Sequence, residues 1–276
     1  MIARVITISF LVAIGMLFPN CVKALPKEEI PFAIATYNIN FDNQNLDKVI
    51  KAIDESKADI VCLQETTVIS EQYLQKIFKT KYPYMKFQGY KGLYYAERFG
   101  FLSKYPLEKV AYLDPKFGLF GTYIAKVRLK GVLIQVVNVH LDPINVFKDR
   151  TFFGLLKAFT KANKAHLDET KRILEKLDKQ IPTIIAGDFN GKSESSAANH
   201  LKEKGFSDSF AEVNKNPDKN PTWEWQLRTG KITARLDFIF HDTNFKTRKS
   251  MIIRNNSSDH FLVYSVLTLM KQKSGK

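Results

Sequence analysis

Five short polar clusters, far apart in the chain and each expected to end a run of β-forming residues, constrain this sequence more than any other feature. They are Thr36-Tyr37-Asn38, Leu63-Gln64-Glu65, Asn138-Val139-His140-Leu141-Asp142, Gly187-Asp188-Phe189-Asn190, and a paired last cluster, Arg235-Leu236-Asp237 with Ser258-Asp259-His260. Open α/β sheets place their ligand crevice at the carboxyl ends of their strands, so such clusters can converge on one edge. Together they offer oxygen ligands for a hard divalent cation, an imidazole beside a carboxylate, and donors for an anionic substrate. That inventory implies a metal-assisted phosphoester hydrolase.

The segments between the clusters support an α/β arrangement. Residues 32–39, 60–63, 101–103, 122–129, 133–141, 183–186, 236–240 and 261–269 have the composition of strands, with Lys130-Gly131 as a tight connection. Leu46, Val49, Ile50 and Ile53 fall at helical spacing within residues 45–58. Ser70 is expected to cap a helix carrying Tyr73, Leu74, Ile77 and Phe78, and Ser193 one that Gly205 ends. Residues 166–177 form a further helix with Leu167, Ile173, Leu174 and Leu177 inward. No repeat or linker divides the chain. Trp223 and Trp225 either pack a strand or lie exposed.

The order Asn38, Glu65, His140, Asp188-x-Asn190, Asp237, Asp259-His260 resembles the endonuclease/exonuclease/phosphatase superfamily, over residues 32–269. That group includes deoxyribonuclease I, apurinic endonucleases, neutral sphingomyelinases and inositol-phosphate phosphatases. The resemblance implies a two-sheet α/β sandwich with helices on its outer faces. It also implies Mg²⁺, with Mn²⁺ as the alternative, on Glu65, Asn38 and Asp259. His140, Asp188, Asn190, Asp237 and His260 are the catalytic candidates. Asn38, His140, Asn190 and Arg235 are candidates for the substrate phosphate, although Arg235 could equally form a structural ion pair. Asp188 would orient the attacking water, and Asp237 would fix the ring of His260. Which imidazole is the general acid stays open. His166, His200 and His241 lack zinc-site spacing and are expected at the surface.

The amino terminus has the pattern of a leader: Arg4, an apolar run from Val5 to Phe18, and Val22-Lys23-Ala24 as a cleavage pattern. Residues 1–24 are expected to be a signal peptide, and residues 25–276 the enzyme domain, secreted or periplasmic. An uncleaved anchor and lipidation at Cys21 are the alternatives. Removing the leader leaves Cys62 alone, expected as an inert core thiol. The formal net charge of +14 favours polyanions. A lysine-rich surface with no such role explains it equally.

Three functions remain open: a nuclease, which is preferred; a phospholipid-headgroup or phosphoinositide hydrolase; and a non-catalytic module of the same fold. Every catalytic position being filled argues against the third. Residues 148–164 bear on the choice. Phe152, Leu155, Leu156 and Phe159 share a helical face among Lys148, Arg150, Lys157, Lys161 and Lys164. This is either a packing helix or a basic amphipathic element that touches lipid or lines the substrate groove. The lipid reading requires its phenylalanines to be exposed. The expected partner is nucleic acid or anionic phospholipid as substrate, with the chain a monomer.

Overall fold

The computed structural model describes residues 28–88, 98–144 and 151–271. The expected leader, Lys148, Arg150 and the carboxyl-terminal residues 272–276 lie outside the described residues.

Strands β1 (Glu28–Asn38), β2 (Ile60–Gln64), β3 (Tyr84–Gln88), β4 (Phe99–Ser103), β13 (Phe245–Ile253) and β14 (Leu262–Lys271) form one sheet in the order β13-β14-β1-β2-β4-β3. A second contains β5 (Leu107–Leu113), β6 (Thr122–Leu129), β7 (Val132–His140), β8 (Thr183–Asp188), β9 (Ser207–Asp208) and β12 (Asp237–His241), in the order β5-β6-β7-β8-β12-β9. A separate hairpin joins β10 (Trp223–Leu227) to β11 (Gly230–Ala234). The two six-stranded sheets face each other, giving the expected α/β sandwich.

Helices α1 (Leu46–Ser56) and α2 (Val68–Phe78) cover the outside of the first sheet, burying Val49, Ile53, Leu74 and Phe78. Helices α3 (Phe152–Lys176) and α4 (Ser196–Glu203) cover the second through Ile173, Ala197 and Leu201. A short α5 (Ser209–Val213) follows β9.

Strand alternation explains where the polar clusters go. Ile34 and Ile60 of one sheet, and Val136, Ile184 and Ala186 of the other, meet in the core between the sheets. Side chains two residues apart share a face. The next positions along those strands are Thr36 and Asn38, Cys62 and Gln64, Asn138 and His140, and Asp188. The polar clusters are thus the capped end of the inter-sheet core.

One expectation about them was wrong. Asp237 begins β12 and His260 precedes β14, so neither ends a strand: β12 runs antiparallel to β8 with Asp237 opposite Asp188, and β14 runs antiparallel to β1. Antiparallel strands bring their amino ends to the edge where β1, β2, β7 and β8 bring their carboxyl ends, so all the clusters still meet.

The helix starts also differ. Thr67 caps α2, its hydroxyl accepting the Ser70 N–H while Ser70 Oγ accepts the Thr67 N–H; Ser70 is inside the helix. Ser195, rather than Ser193, caps α4. The two expected helical stretches between His140 and Thr183 are one helix, α3. Cys62 is a buried core thiol, as expected, and burial pushes its ionisation far up.

Two buried amides join the sheets beneath the site. Gln64 Nε2 donates to Asn138 Oδ1 at 2.7 Å and to Thr36 Oγ1 at 3.0 Å. Asn138 Nδ2 donates to the carbonyls of Leu63 at 2.9 Å and Gly100 at 3.1 Å. Asn138→Ala would strand all these partners away from water, at roughly 1–3 kcal/mol for each group left unsatisfied. Equilibrium urea unfolding should show a clear loss of stability, with or without chelator.

Candidate active site

Asp188 is the centre of the polar end of the core. It is buried, and its Oδ1 accepts the Asn190 N–H at 2.8 Å while Oδ2 accepts from Asn38 Nδ2 at 3.2 Å and Asn190 Nδ2 at 3.3 Å. Two imidazoles approach the same Oδ2: His260 Nε2 at 3.5 Å and His140 Nε2 at 3.6 Å. Gly187, with φ of +151°, makes this approach feasible, since a Cβ there would lie 1.9 Å from the Val139 carbonyl oxygen. Burial is the main cause that raises the Asp188 pKa; the charge of Asp237 adds to it, and His260 opposes both.

His260 forms the expected dyad. Its Nδ1 meets the two oxygens of Asp237 at 2.9 and 3.2 Å, leaving Nε2 directed at Asp188. Burial disfavours the imidazolium most strongly. The charges of Asp237 and Asp188, with the Asp237 hydrogen bond, outweigh it and raise the pKa to about 10. His260 is therefore a cationic donor at neutral pH.

Glu65 follows β2 in the left-handed region, φ +57°, which turns its carboxylate out of the strand direction. Its Oε1 accepts from Asn38 at 2.9 Å and lies 3.7 Å from His140 Nε2; its Oε2 accepts the Phe41 N–H at 3.1 Å. Burial raises its pKa first, and the charge of Asp259 raises it further. Asp259 is half-buried, held by Asn40 Nδ2 at 2.9 Å and Trp223 Nε1 at 3.2 Å.

This donor set fits a divalent cation. Four carboxylates, Glu65, Asp188, Asp237 and Asp259, gather here, and among the described residues their only ion-pair partners are His140 and His260. Hard oxygens with surplus negative charge suit Mg²⁺. Ligand atoms of Asp188, Asp237 and His260 lie within 4.8 Å of one another. Those three are more deeply buried than Glu65 and Asp259, whose oxygens are the more accessible ones for a cation.

Residues 35–260 match the model of the endonuclease/exonuclease/phosphatase family. The chain belongs to this family. Enzymes of the family use divalent metals, and proteins of this fold are typically phosphoesterases or nucleases. No curated protein matches the chain by sequence. Among solved structures, Danio rerio TDP2 complexed with a single-strand DNA product aligns with a TM-score of 0.67 and 16% identity, over 86% of this chain and 98% of that one. The human Nocturnin catalytic domain with bound sulfate aligns at 0.65 and 15%, over 88% and 98%. A family protein from Bacteroides vulgatus aligns at 0.64 and 19%, over 87% and 99%. At such identities the likeness shows the fold.

Within this family fold, three candidates for the substrate phosphate have their polar groups engaged by other residues. The Asn38 amide spends its hydrogens on Glu65 and Asp188, and the Asn190 amide on Leu141 O and Asp188. Both orient carboxylates. Arg235 is 4% exposed, paired with Asp208 at 2.7 Å and Asp218 at 3.1 Å, and stacked 4.4 Å over the Phe238 ring. Its guanidinium is a structural ion pair, because a buried cation must be neutralised where it lies. The two imidazoles point their Nε2 atoms at Asp188.

His166 and His241 are buried rather than surface residues, whereas His200 is half-buried beside Glu203. His241 Nε2 meets Glu212 and Thr247, each at 2.9 Å. His166 belongs to a latch that sequence reasoning missed. Its Nε2 meets the Asp142 carbonyl at 2.8 Å, while Asp142 Oδ1 accepts the Leu119 and Phe120 N–H groups. Glu169 Oε2 accepts those of Lys116 and Phe117. The loop so held stacks Phe120 on His140, with centroids 4.2 Å apart and planes 14° apart. The only sequence signal was Asp142, two residues beyond His140.

The Asp237 carboxylate is the first of the charges that favour the His260 imidazolium. In metal-free protein, Asp237→Asn should lower the His260 pKa, moving its deprotonation from the alkaline range toward neutrality. Imidazole nitrogen shifts measured by NMR across pH would show it. An unmoved titration would mean that Asp188 alone sustains the imidazolium.

Proposed function

We propose that this protein hydrolyses phosphodiester bonds with a divalent cation, Mg²⁺ or Mn²⁺, held at Glu65 with Asp259 and with Asn38 fixing the Glu65 carboxylate. The observation that carries this reading is the convergence of two imidazole nitrogens on one oxygen of Asp188, beside carboxylates that pair with no lysine or arginine among the described residues. When bound, the cation supplies neutralisation of charge developing on the phosphate.

The chain's own groups supply the rest. Asp188, its proton affinity raised by burial, orients a water and takes its proton as the oxygen attacks phosphorus. Asn38 and Asn190 hold that carboxylate in one orientation. His260 donates to a phosphoryl oxygen or to the departing ester oxygen, and Asp237 fixes the ring so that Nε2 faces the site. His140, braced by Phe120, is the second donor.

The net charge of +14 supports a polyanionic substrate. Nucleic acid and anionic lipid headgroups are the classes to assay, and the TDP2 structure with its DNA product lends support to the first. Export through residues 1–24 belongs to the same proposal; the mass of the mature chain would test it.

Hydrolysis of bis(p-nitrophenyl) phosphate, with Mg²⁺ and with excess chelator, tests the chemistry. Activity should disappear in chelator, and Glu65→Gln should cut turnover severely without loss of fold. Undiminished turnover in chelator would overturn the metal assignment. His260→Ala and Asp237→Asn should each remove most activity, and the double variant should be little worse than the worse single one. Additive losses in activation free energy would show that the two act separately.

A further inference from the structure

Helix α3 does two different things along its length. Its buried residues are His166, Glu169, Thr170 and Ile173, all in the carboxyl-terminal part. The crossover from β7 to the parallel β8 makes α3 start at the site edge and run back along the sheet. His166 meets Asp142, two residues past the end of β7, and so marks the level of that edge. The fourteen residues before His166 rise about 21 Å at 1.5 Å per residue. They lie toward the strand ends that carry His140 and Asp188, with Leu155 and Ala158 half-buried and the residues named next exposed.

That half is apolar on one side and basic on the next. Phe152 and Phe153 are 75% and 79% exposed, and Leu156 and Phe159 are also exposed. At 100° per residue Phe152, Leu156 and Phe159 share one stripe with Phe153 at its border, while Lys157, Lys161 and Lys164 lie on the adjoining face, all exposed. The loop that Asp142 and Glu169 hold beside His140 adds exposed Phe117 and Leu119.

Large aromatic side chains standing in water lose their hydration cost on entering the interfacial region of a bilayer, while neighbouring lysines meet anionic headgroups. A nucleic-acid duplex would engage the lysines and leave the phenylalanine tip without a partner, whereas a single strand would stack bases on it, an outcome the experiment below separates. A second copy of this chain would bring the same lysines against each other.

We propose that the first half of α3, with Phe152 and Phe153 leading, docks this protein on an anionic lipid bilayer and presents headgroup phosphodiesters to Asp188, His140 and His260. The substrate part rests on the phosphodiesterase reading; the docking part does not. Docking would also keep a substrate at the mouth that never leaves its membrane.

Sedimentation with vesicles of phosphatidylcholine alone, or mixed with phosphatidylserine, separates the outcomes. The wild type should partition onto the mixed vesicles. Phe152→Ser, Phe153→Ser and Phe159→Ser together should weaken that partition more than about tenfold, because each ring loses its apolar burial. Lys157→Gln, Lys161→Gln and Lys164→Gln together should weaken it on the mixed vesicles only, and salt should mimic them. All six side chains are exposed, so far-ultraviolet circular dichroism should be unchanged. Both variants should hydrolyse bis(p-nitrophenyl) phosphate at the wild-type rate.

Wild-type protein that binds neither vesicle, or a serine variant that partitions like the wild type, would overturn the proposal. Absence from vesicles together with single-stranded DNA binding that depends on the three lysines would assign the surface to nucleic acid instead. If bis(p-nitrophenyl) phosphate is never cleaved while vesicle binding follows the phenylalanines, the docking surface stands and the phosphodiesterase reading fails.

Discussion

The hydrogen bonds that the buried amides of Gln64 and Asn138 make between the sheets are the constraint on which the rest depends. Each sheet contributes half of the site: Asn38 and Glu65 come from β1 and β2, whereas His140, Asp188 and Asp237 come from β7, β8 and β12. Apolar contacts alone would let the two faces slide, because burial is nondirectional. The amide of Asn138 reaches carbonyls on β2 and β4, and that of Gln64 returns to Asn138. Directional bonds in a dry interior fix the offset between sheets. With that offset set, Asn38 from one sheet reaches Asp188 of the other.

The site stores electrostatic cost. Four carboxylates meet there with two imidazoles, and burial opposes the charged form of Glu65, Asp188 and His260 alike. His260 stays cationic because Asp237 and Asp188 outweigh its desolvation, and a cation at Glu65 would relieve more of the remaining repulsion. Left-handed backbone at Glu65 and Asn190 belongs to the same pattern, with side chains turned out of the strands at a local conformational cost. The surrounding bonds hold these strained groups in place: Phe41 and Asn38 on Glu65, Leu141 on Asn190.

Helix α3 couples the catalytic end of the sheet to the molecular surface. Glu169 and the segment after β7 pin the loop that braces His140, and the same helix begins as an exposed aromatic and basic stretch. Among the described residues no helix is long and apolar enough to cross a membrane. Interfacial contact requires no such helix.

Much of the fold was legible in local sequence because the central strands are buried on both faces. Continuous apolar runs such as Ile60-Val61-Cys62-Leu63 and Thr183-Ile184-Ile185-Ala186 declare themselves, and each ends in a polar cluster that belongs at an edge. Within the two six-stranded sheets, the strands that escaped notice, β3, β5, β9 and β13, are the four edges. An edge strand is half solvated, so its sequence alternates irregularly and resembles a loop. The residues that gather at this edge could be named from the chain alone, since carboxylate, imidazole and amide are properties of residue type. Whether Asn38, Asn190 and Arg235 have hydrogens free for phosphate was decided by tertiary structure, because each depends on partners distant in the chain. The exposure of Phe152 and Phe153 was likewise decided there: periodicity shows that a helix has an apolar face, and only the packed sheet determines how much of that face it covers.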